Sequence, residues 1–313
     1  MSTSEETLDL NGNFASRIKV LFVGSCIMSS LIWYSMRCRA KLLSKLLGKV
    51  YPFSLTKSQT FSLFIVFTSP ITLTIGEMAK PETINRIRNM DFVYGLKLDY
   101  YWKIIFSLIQ LYIAYLLHPS WTNIVTFLFC LLCQRVSVML SHLTARVRNY
   151  SPEEFTATQQ KDILKQQSRL ADVVQLMQKV FSVPSFLISV ASFSSCIIII
   201  ALMMNNLFQD IHYAVLIQWI FMITHSFGGL LACLWMAGRL PMEAEILHTE
   251  FRKKMRQRLL SVGKSDGIRF ENELVENSNF VLSGCGIVYF QRSSIAALAG
   301  TILTYAILLI SKG

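Results

Sequence analysis

No aspartate or glutamate lies in any of the long apolar stretches of this sequence. Proton-coupled transporters and intramembrane hydrolases place ionisable groups at membrane depth in spite of their cost, so this absence disfavours both classes. The sequence also lacks the HExxH, Gly-x-Ser-x-Gly, P-loop and EF-hand patterns, and their absence disfavours an enzyme. We therefore expect no catalytic activity, no cofactor and no metal.

Apolar residues, in contrast, make up 53% of the 313 positions. The windows long enough for a membrane-spanning helix are 19–36, 59–75, 102–118, 121–141, 180–204, 214–237 and 293–310. The segment before the first window is acidic, unlike the basic start of a cleaved signal peptide, so that window should remain as a helix. The sequence thus predicts an all-α membrane protein with seven transmembrane helices.

The distribution of basic residues predicts how these helices are oriented. With the N-terminus inside, the inner segments hold 20 lysines and arginines and the outer segments hold 7, and the positive-inside rule favours this choice. The C-terminus should then lie outside. Basic inner loops also account for the net charge of +11, so we expect no nucleic-acid partner. Segment 37–58 conflicts with this orientation, because it has six basic residues and no acidic one. Either it binds outer headgroups or the first helix is misplaced.

Two amphipathic helices are predicted outside the apolar windows. Ser151-Pro152-Glu153-Glu154 has an N-cap serine, a proline at the first helical position and a glutamate at the third. Apolar residues at helical spacing follow over 163–177, so this helix should run into the fifth window. The second stretch, 244–259, follows the sixth window. Neither can bury its apolar face alone, so each needs the other, segment 271–290 or another subunit.

Shorter features add local predictions. Pro70 should kink the second helix, with serine or threonine groups satisfying the carbonyl that it frees. His118-Pro119-Ser120 predicts a tight turn between helices three and four. His225 should form a hydrogen bond inside the protein, and Cys130-Leu-Leu-Cys133, inside a window, predicts buried thiols.

The end of the chain predicts a broken helix. Gly284 and Gly286 weaken the apolar segment 280–290 as a helix by about 1 kcal/mol each. Gln291 and Arg292 then interrupt it. The following residues, 293–310, carry no charge and give about 27 Å of helix, enough to span a bilayer.

This ending resembles that of the insect chemoreceptors, above all the gustatory receptor branch. Their seventh helix ends in Thr-Tyr, five apolar residues and Gln-Phe, and here Thr304-Tyr305 is followed by five apolar residues. The residues similar to the family's lead-in are Phe280, Leu282-Ser283, Gly286 and Phe290. The match departs at Ser311-Lys312, which stand in place of Gln-Phe.

The resemblance implies a fold and a function. It implies helices one to four in 1–141, helices five and six with cytoplasmic anchor helices in 142–290, and a pore-lining half-helix in 291–313. It implies a homo- or hetero-tetramer in the plasma membrane, opened to cations by a small tastant or odorant. The alternatives are a non-conducting receptor, accessory subunit or scaffold, favoured by the missing Gln-Phe, and a G-protein-coupled receptor, disfavoured by the orientation.

Site residues follow from the resemblance together with the local sequence. The predicted pore face consists of Ala296, Ala299, Leu303, Ile307 and Ile310, which share one side of the last helix. The resemblance places Ile310 at a hydrophobic gate, with Ser311 and Lys312 at the pore mouth. The candidates for ligand binding are Tyr112, Tyr115, Trp121 and Trp219. Leu247 and Phe251, on the second amphipathic stretch, should contribute to the subunit contact.

Overall fold

The computed structural model describes residues 20, 23–50, 56–89, 99–205, 213–262 and 280–311. The helices are α1 (23–38), α2 (Ala40–Val50), α3 (Lys57–Met78), α4 (Pro81–Arg88), α5 (Tyr100–Tyr115), α6 (Trp121–Asn149), α7 (Ala157–Asn205), α8 (Tyr213–Ala237), α9 (Arg239–Val262) and α10 (Ser294–Ser311). A π-helical segment, Leu116–Ser120, joins α5 to α6, and a hairpin of β1 (Ser283–Gly284) and β2 (Val288–Tyr289) precedes α10.

The all-α membrane architecture predicted from the sequence is confirmed. A helix lies in each of the seven apolar windows. In the described part of the chain, four helical stretches are long and apolar enough to cross a membrane: Lys57–Met78, Trp121–Asn149, Ala157–Met204 and Trp219–Ser261. The fifth window continues α7 without a break, as the pattern of 163–177 predicts.

The C-terminal half of α6, the N-terminal half of α7 and α9 pack together at one end of the molecule, which we call the anchor. At its centre the ring of Phe155 lies 5.2 Å from that of Phe251. Gln167 of α7 and His248 of α9 are joined by a hydrogen bond of 2.9 Å. The two amphipathic stretches therefore meet, although α9 packs mainly on α6, a contact that the sequence does not predict.

The capping box predicted at the start of the first amphipathic helix forms, but the helix begins later. The backbone N–H of Glu154 donates to Ser151 Oγ (3.2 Å), and the N–H of Ser151 donates to a Glu154 carboxylate oxygen (3.1 Å). Residues 152–154 nevertheless form only a turn, and α7 starts at 157. Because Phe155 is fully buried among aromatic rings of the anchor, the chain leaves the helical path there.

The first helix points in the direction opposite to the prediction. Ser29 of α1 lies 3.2 Å from Thr122, at the start of α6, whereas Arg39 reaches the carbonyl oxygen of Val180 near the anchor. Helix α1 thus runs towards the anchor, and α2 packs on α7 with Leu46 buried. The described part of the basic segment that follows α1 therefore lies at the anchor end. Of the two explanations offered for its charge, this position favours a misplaced first helix over binding to outer headgroups.

The predicted number of seven transmembrane helices is not confirmed. Among the described residues, α1, α6 and α8 run towards the anchor, and α3, α7 and α10 run away from it. Helix α5 packs against α3 and α4 rather than antiparallel to α6. The described start of α1 and the described end of α10 both lie at the end opposite the anchor, so the predicted placement of the termini on opposite sides is not confirmed.

The tight turn predicted at 118–120 is a continuous π-helical segment. Pro119 has no N–H to donate to the carbonyl of Tyr115, four residues earlier. The hydroxyl of Ser120 donates to that oxygen instead (2.9 Å), and the N–H of Trp121 donates to the carbonyl of Leu116. The helix therefore widens around the proline and continues.

The first half of the predicted broken helix is a β-hairpin. Cys285 and Gly286 at its turn have φ values of +53° and +71°, in the left-handed region that a helix excludes. The side chain of Gln178 in α7 clamps the hairpin, accepting from the N–H of Ser283 (2.9 Å) and donating to its carbonyl (2.8 Å). These contacts satisfy the backbone N–H and C=O of Ser283 in β1 without the hydrogen bonds of a helix.

Candidate ligand cavity and pore helix

A cavity of about 490 Å³ lies between α3, α6 and α8. Its volume is in the range of small-molecule sites. Its polar lining residues are Thr56, Ser58, Gln59, Ser62, Asn123, Thr126, Gln134, Thr224 and His225. The described lining includes no lysine, arginine, aspartate or glutamate. The cavity therefore suits an uncharged molecule with several hydrogen-bonding groups.

A hydrogen bond between Asn123 and His225 closes one side of this cavity. The amide Nδ2 of Asn123 lies 3.2 Å from Nδ1 of His225, as the sequence predicts for an interior histidine. With the amide as donor, Nδ1 accepts and the neutral ring carries its proton on Nε2. The ring of Phe221 lies 4.4 Å from the imidazole and fixes its orientation. Gly228, one turn after His225, lines the cavity and leaves room for a ligand.

A second polar pair lies nearer the anchor. The side-chain amide of Gln59 donates from Nε2 to the side-chain oxygen Oε1 of Gln134 at 2.7 Å. Gln59 also accepts from the backbone N–H of Thr56 (2.8 Å), and its own N–H donates to the Thr56 hydroxyl (3.3 Å). This capping box holds Gln59 in place, so α3 presents a rigid polar group to the cavity.

The four aromatic residues predicted to bind the ligand do not line this cavity. Tyr112 is 40% exposed on α5, and the hydroxyl of Tyr115 lies 3.4 Å from a carboxylate oxygen of Glu77. Trp121 is half-buried at the start of α6, and Trp219 is half-buried in α8. The signal that the sequence analysis missed is the set of polar residues within apolar windows. Asn123 and Gln134 are two of them, and they lie eleven positions apart, which is about three helical turns.

Helix α10 packs on α7 through a narrow face. Ile302 and Ala306 are buried, and the ring of Tyr305 lies 6.3 Å from that of Phe193. Thr304 donates its hydroxyl proton to the carbonyl of Gly300 at 2.9 Å. Of the other described side chains of α10, Ser294, Ile295 and Leu298 are half-buried and the rest are exposed in the single chain.

The predicted pore face lies beside this packed face. Ala296, Ala299, Leu303 and Ile307 are all exposed, and Ala299 and Leu303 also line a cavity shared with α7 and α8. The side chains of Ile310 and Ser311, and all of Lys312, lie outside the described residues. A pore face and a lipid-facing surface are both exposed in a single chain, so the pore role of these residues stays a prediction.

Leu247 and Phe251 do not lie on a surface that a second chain can reach. Both are fully buried in the anchor of their own chain. The helices of the anchor already cover their apolar face within the chain, and their predicted part in the subunit contact stays a prediction. Among the described residues, the large apolar side chains exposed on α9 and the end of α8 are Trp235, Met242, Ile246 and Leu260.

Comparison with known proteins identifies similar sequences and folds. A family model described as trehalose receptor matches residues 84–312. The insect olfactory receptor OR5 from Machilis hrabei has a similar structure, with a TM-score of 0.67 at 13% identity over 92% of this chain and 79% of that chain. The same receptor in complex with eugenol gives a TM-score of 0.69 at 15% identity over 95% and 81%. These low identities show a shared fold alone. No curated protein sequence matches.

Proposed function

The chain belongs to the trehalose receptor family, in the gustatory branch of the insect chemoreceptors, and from this membership we propose that it is a subunit of a ligand-gated, non-selective cation channel. Insect gustatory and olfactory receptors form ligand-gated cation channels. The proposal includes a homo- or hetero-tetramer in the plasma membrane, with the anchor in the cytoplasm. The basic residues of segment 37–58 then lie inside, in agreement with the positive-inside rule.

The uncharged cavity between α3, α6 and α8 carries this proposal. A charged ligand would lose its hydration there without an ionic partner, which is costly in a membrane interior. A neutral hydroxylated molecule of the sugar class, in contrast, can exchange hydrogen bonds with Asn123, His225 and Gln134. The family description points to the same class of ligand.

Helix α8 offers a route from this cavity to α10. Thr224 and Gly228 line the ligand cavity, and both also line the apolar cavity that holds Ala299 and Leu303 of α10. One helix thus separates the proposed ligand from the proposed pore helix. We propose that a ligand bound on one side of α8 shifts the packing of α10 on its other side.

The test is current recorded from cells that express the chain while neutral sugars and polyols are applied. Asn123→Leu removes the amide at nearly constant volume, and His225→Leu removes the imidazole. Each should raise the half-maximal ligand concentration about tenfold, the value of one lost hydrogen bond to a buried partner. Tyr112→Phe, outside the cavity, is the matched control. Unchanged responses in both cavity variants would refute the site.

The second candidate is a subunit that conducts only beside a different partner. Lys312, in place of the family's Gln-Phe, favours it, because four such charges at the mouth of a cation path would repel cations. Purified protein in vesicles decides between the two. Ligand-driven current from this chain alone supports the homomeric channel, and ligand binding without current supports the second candidate.

A further inference from the structure

Arg292, at the junction between the anchor and α10, has no anionic partner among the described residues. Its guanidinium carbon lies 4.1 Å from the ring centroid of Trp235, and its Nε is buried with no hydrogen-bond partner. No carboxylate of the described residues pairs with it. Arg239, at the same junction, differs because it pairs with Glu243 at 3.2 Å. An anion from outside the chain would balance the charge of Arg292.

The backbone of Arg292 is held firmly in this position. A Cβ atom added to Gly238 would lie 3.0 Å from the Arg292 nitrogen and 3.1 Å from its Cγ. The end of α8 and the start of the α10 segment are therefore in close contact. The direction in which Arg292 leaves the backbone is set by this packing.

An apolar groove follows α10, and its lining includes residues on both sides of Arg292 in the sequence but not Arg292 itself. A cavity of about 580 Å³ lies between α7, α8, the hairpin and the first turn of α10. Its apolar lining includes Phe193, Leu230 and Leu298, and its polar lining includes Gln291 and Ser294, which flank Arg292 in the sequence. The cavity of about 450 Å³ that contains Leu303 follows along the same three helices and is almost wholly apolar. From 294 to 303 the two cavities cover about 14 Å of α10.

We propose that this groove binds an anionic amphiphile with one acyl chain in the two cavities and its carboxylate or phosphate on Arg292. An acyl chain satisfies an apolar groove at membrane depth, whereas a peptide segment would bring unpaired backbone groups into it. An anionic headgroup supplies the missing partner of the guanidinium. The bound molecule contacts the first turn of α10, so its presence changes what that helix packs against. This inference does not depend on conduction or on the sugar site.

The test uses the full chain in nanodiscs of phosphatidylcholine and a fatty acid that carries a diazirine on its chain. Light-induced adducts should map by mass spectrometry to the groove residues of α7, α8 and α10. Arg292→Gln should lower labelling about tenfold, the value of one charge-assisted contact. Arg239→Gln is the matched control and should leave labelling unchanged, since that arginine is already paired within the chain. Ser294→Phe fills the groove and should abolish labelling while Arg292 remains.

Further arms separate the sources of the anion. The methyl ester of the same probe lacks the charge and should label the groove at background. Labelling by a diazirine phosphatidic acid but not by the free acid identifies a membrane phospholipid, and the reverse identifies a fatty acid. Equal labelling by acid and ester overturns the proposal even if Arg292→Gln does not fold. Adducts outside the groove, or cross-links between two copies through its residues, also overturn it.

Discussion

Arg39 donates from Nη1 to the carbonyl oxygen of Val180 at 3.0 Å, across 141 positions of the sequence. Pro184 lies four residues after Val180 and has no N–H to complete the α-helical bond to that oxygen. The same Nη1 lies 2.9 Å from the carbonyl oxygen of Lys179. A side chain from the α1–α2 junction thus replaces a donor that α7 lacks, and it holds the basic segment after α1 against the anchor.

Replacing Arg39 should therefore destabilise the protein through α7. Arg39→Gln leaves the carbonyl oxygen of Val180 without its donor, at a cost of about 1–3 kcal/mol. Thermal unfolding of the purified protein in detergent should show a lower midpoint. Lys41→Gln, a loss of charge at an exposed position of α2, should leave the midpoint unchanged.

A second substitution tests the reason for this effect. Pro184→Ala restores the missing backbone N–H, so Arg39→Gln should cost less in that background than in the natural sequence. The double-mutant cycle isolates this coupling from the packing that Pro184 itself contributes. Additive effects of the two substitutions would mean that Arg39 does not act through the proline.

Two further prolines show how far the sequence could predict such contacts. Pro70 frees the carbonyl of Val66, and the hydroxyl of the adjacent Ser69 donates to it at 2.8 Å, as predicted. Next to Pro119, the hydroxyl of Ser120 likewise donates to the carbonyl that the proline frees, that of Tyr115. Both donors are sequence neighbours of their proline, so the local pattern contains them. Arg39 is distant in sequence from Val180, and only the tertiary fold brings the two together.

The direction of α1 shows a different limit. With α1 running towards a cytoplasmic anchor and α5 not crossing, the inner segments again hold 20 basic residues and the outer segments hold 8. The totals are nearly the same as for the predicted arrangement, because segment 37–58 exchanges sides with 1–19 and 76–101, and only Lys103 of α5 is added to the outer side. Counting charges could not distinguish the two. The contacts of Ser29 and Arg39 do, since they fix both ends of the helix.

The candidate cavity was partly visible in the sequence. His225 stood out as a polar residue within an apolar window, and its hydrogen bond is confirmed. The sequence could not identify its partner, because Asn123 is about a hundred positions away and each of the two side chains could have faced any neighbouring helix. The aromatic candidates do not line this cavity, and their part in ligand binding stays a prediction; amphipathic rings of this kind serve equally well at a packing surface or a membrane interface.

Gly284 should not tolerate a side chain. A Cβ atom at this position would lie 3.1 Å from the backbone nitrogen and Cα of Phe186 in α7. Gly284→Ala should push the hairpin from α7, weaken the clamp at Gln178 and lower the unfolding midpoint. Gly48→Ala in α2 is the control, because nothing lies within 4 Å of its added Cβ and alanine favours a helix by about 1 kcal/mol. Equal midpoints for the two variants would contradict the close contact.

The orientation of the anchor can be tested with glycosylation. Asn149-Tyr150-Ser151 is the N-x-[ST] sequon of the sequence and lies at the anchor end of α6. If the anchor is cytoplasmic, Asn149 should carry no glycan. Asp91→Thr completes a second sequon with Asn89, which follows α4 at the opposite end. That variant should show a mobility shift removed by endoglycosidase, and a glycan on Asn149 instead would reverse the proposed orientation.

The last prediction concerns the proposed pore. Ile310→Ala should raise basal current, because a smaller side chain widens an apolar ring that closes the path by excluding water. Leu308→Ala removes a similar volume from nearly the opposite side of α10, since two residues differ by about 200° around a helix. It serves as the matched control and should leave basal current unchanged. Lys312→Gln should raise cation conductance, most strongly at low ionic strength, where the repulsion that it removes is least screened. The measurement is patch-clamp current at two salt concentrations, normalised to surface expression. If the channel conducts and neither Ile310→Ala nor Lys312→Gln changes its current, another face of α10 lines the path.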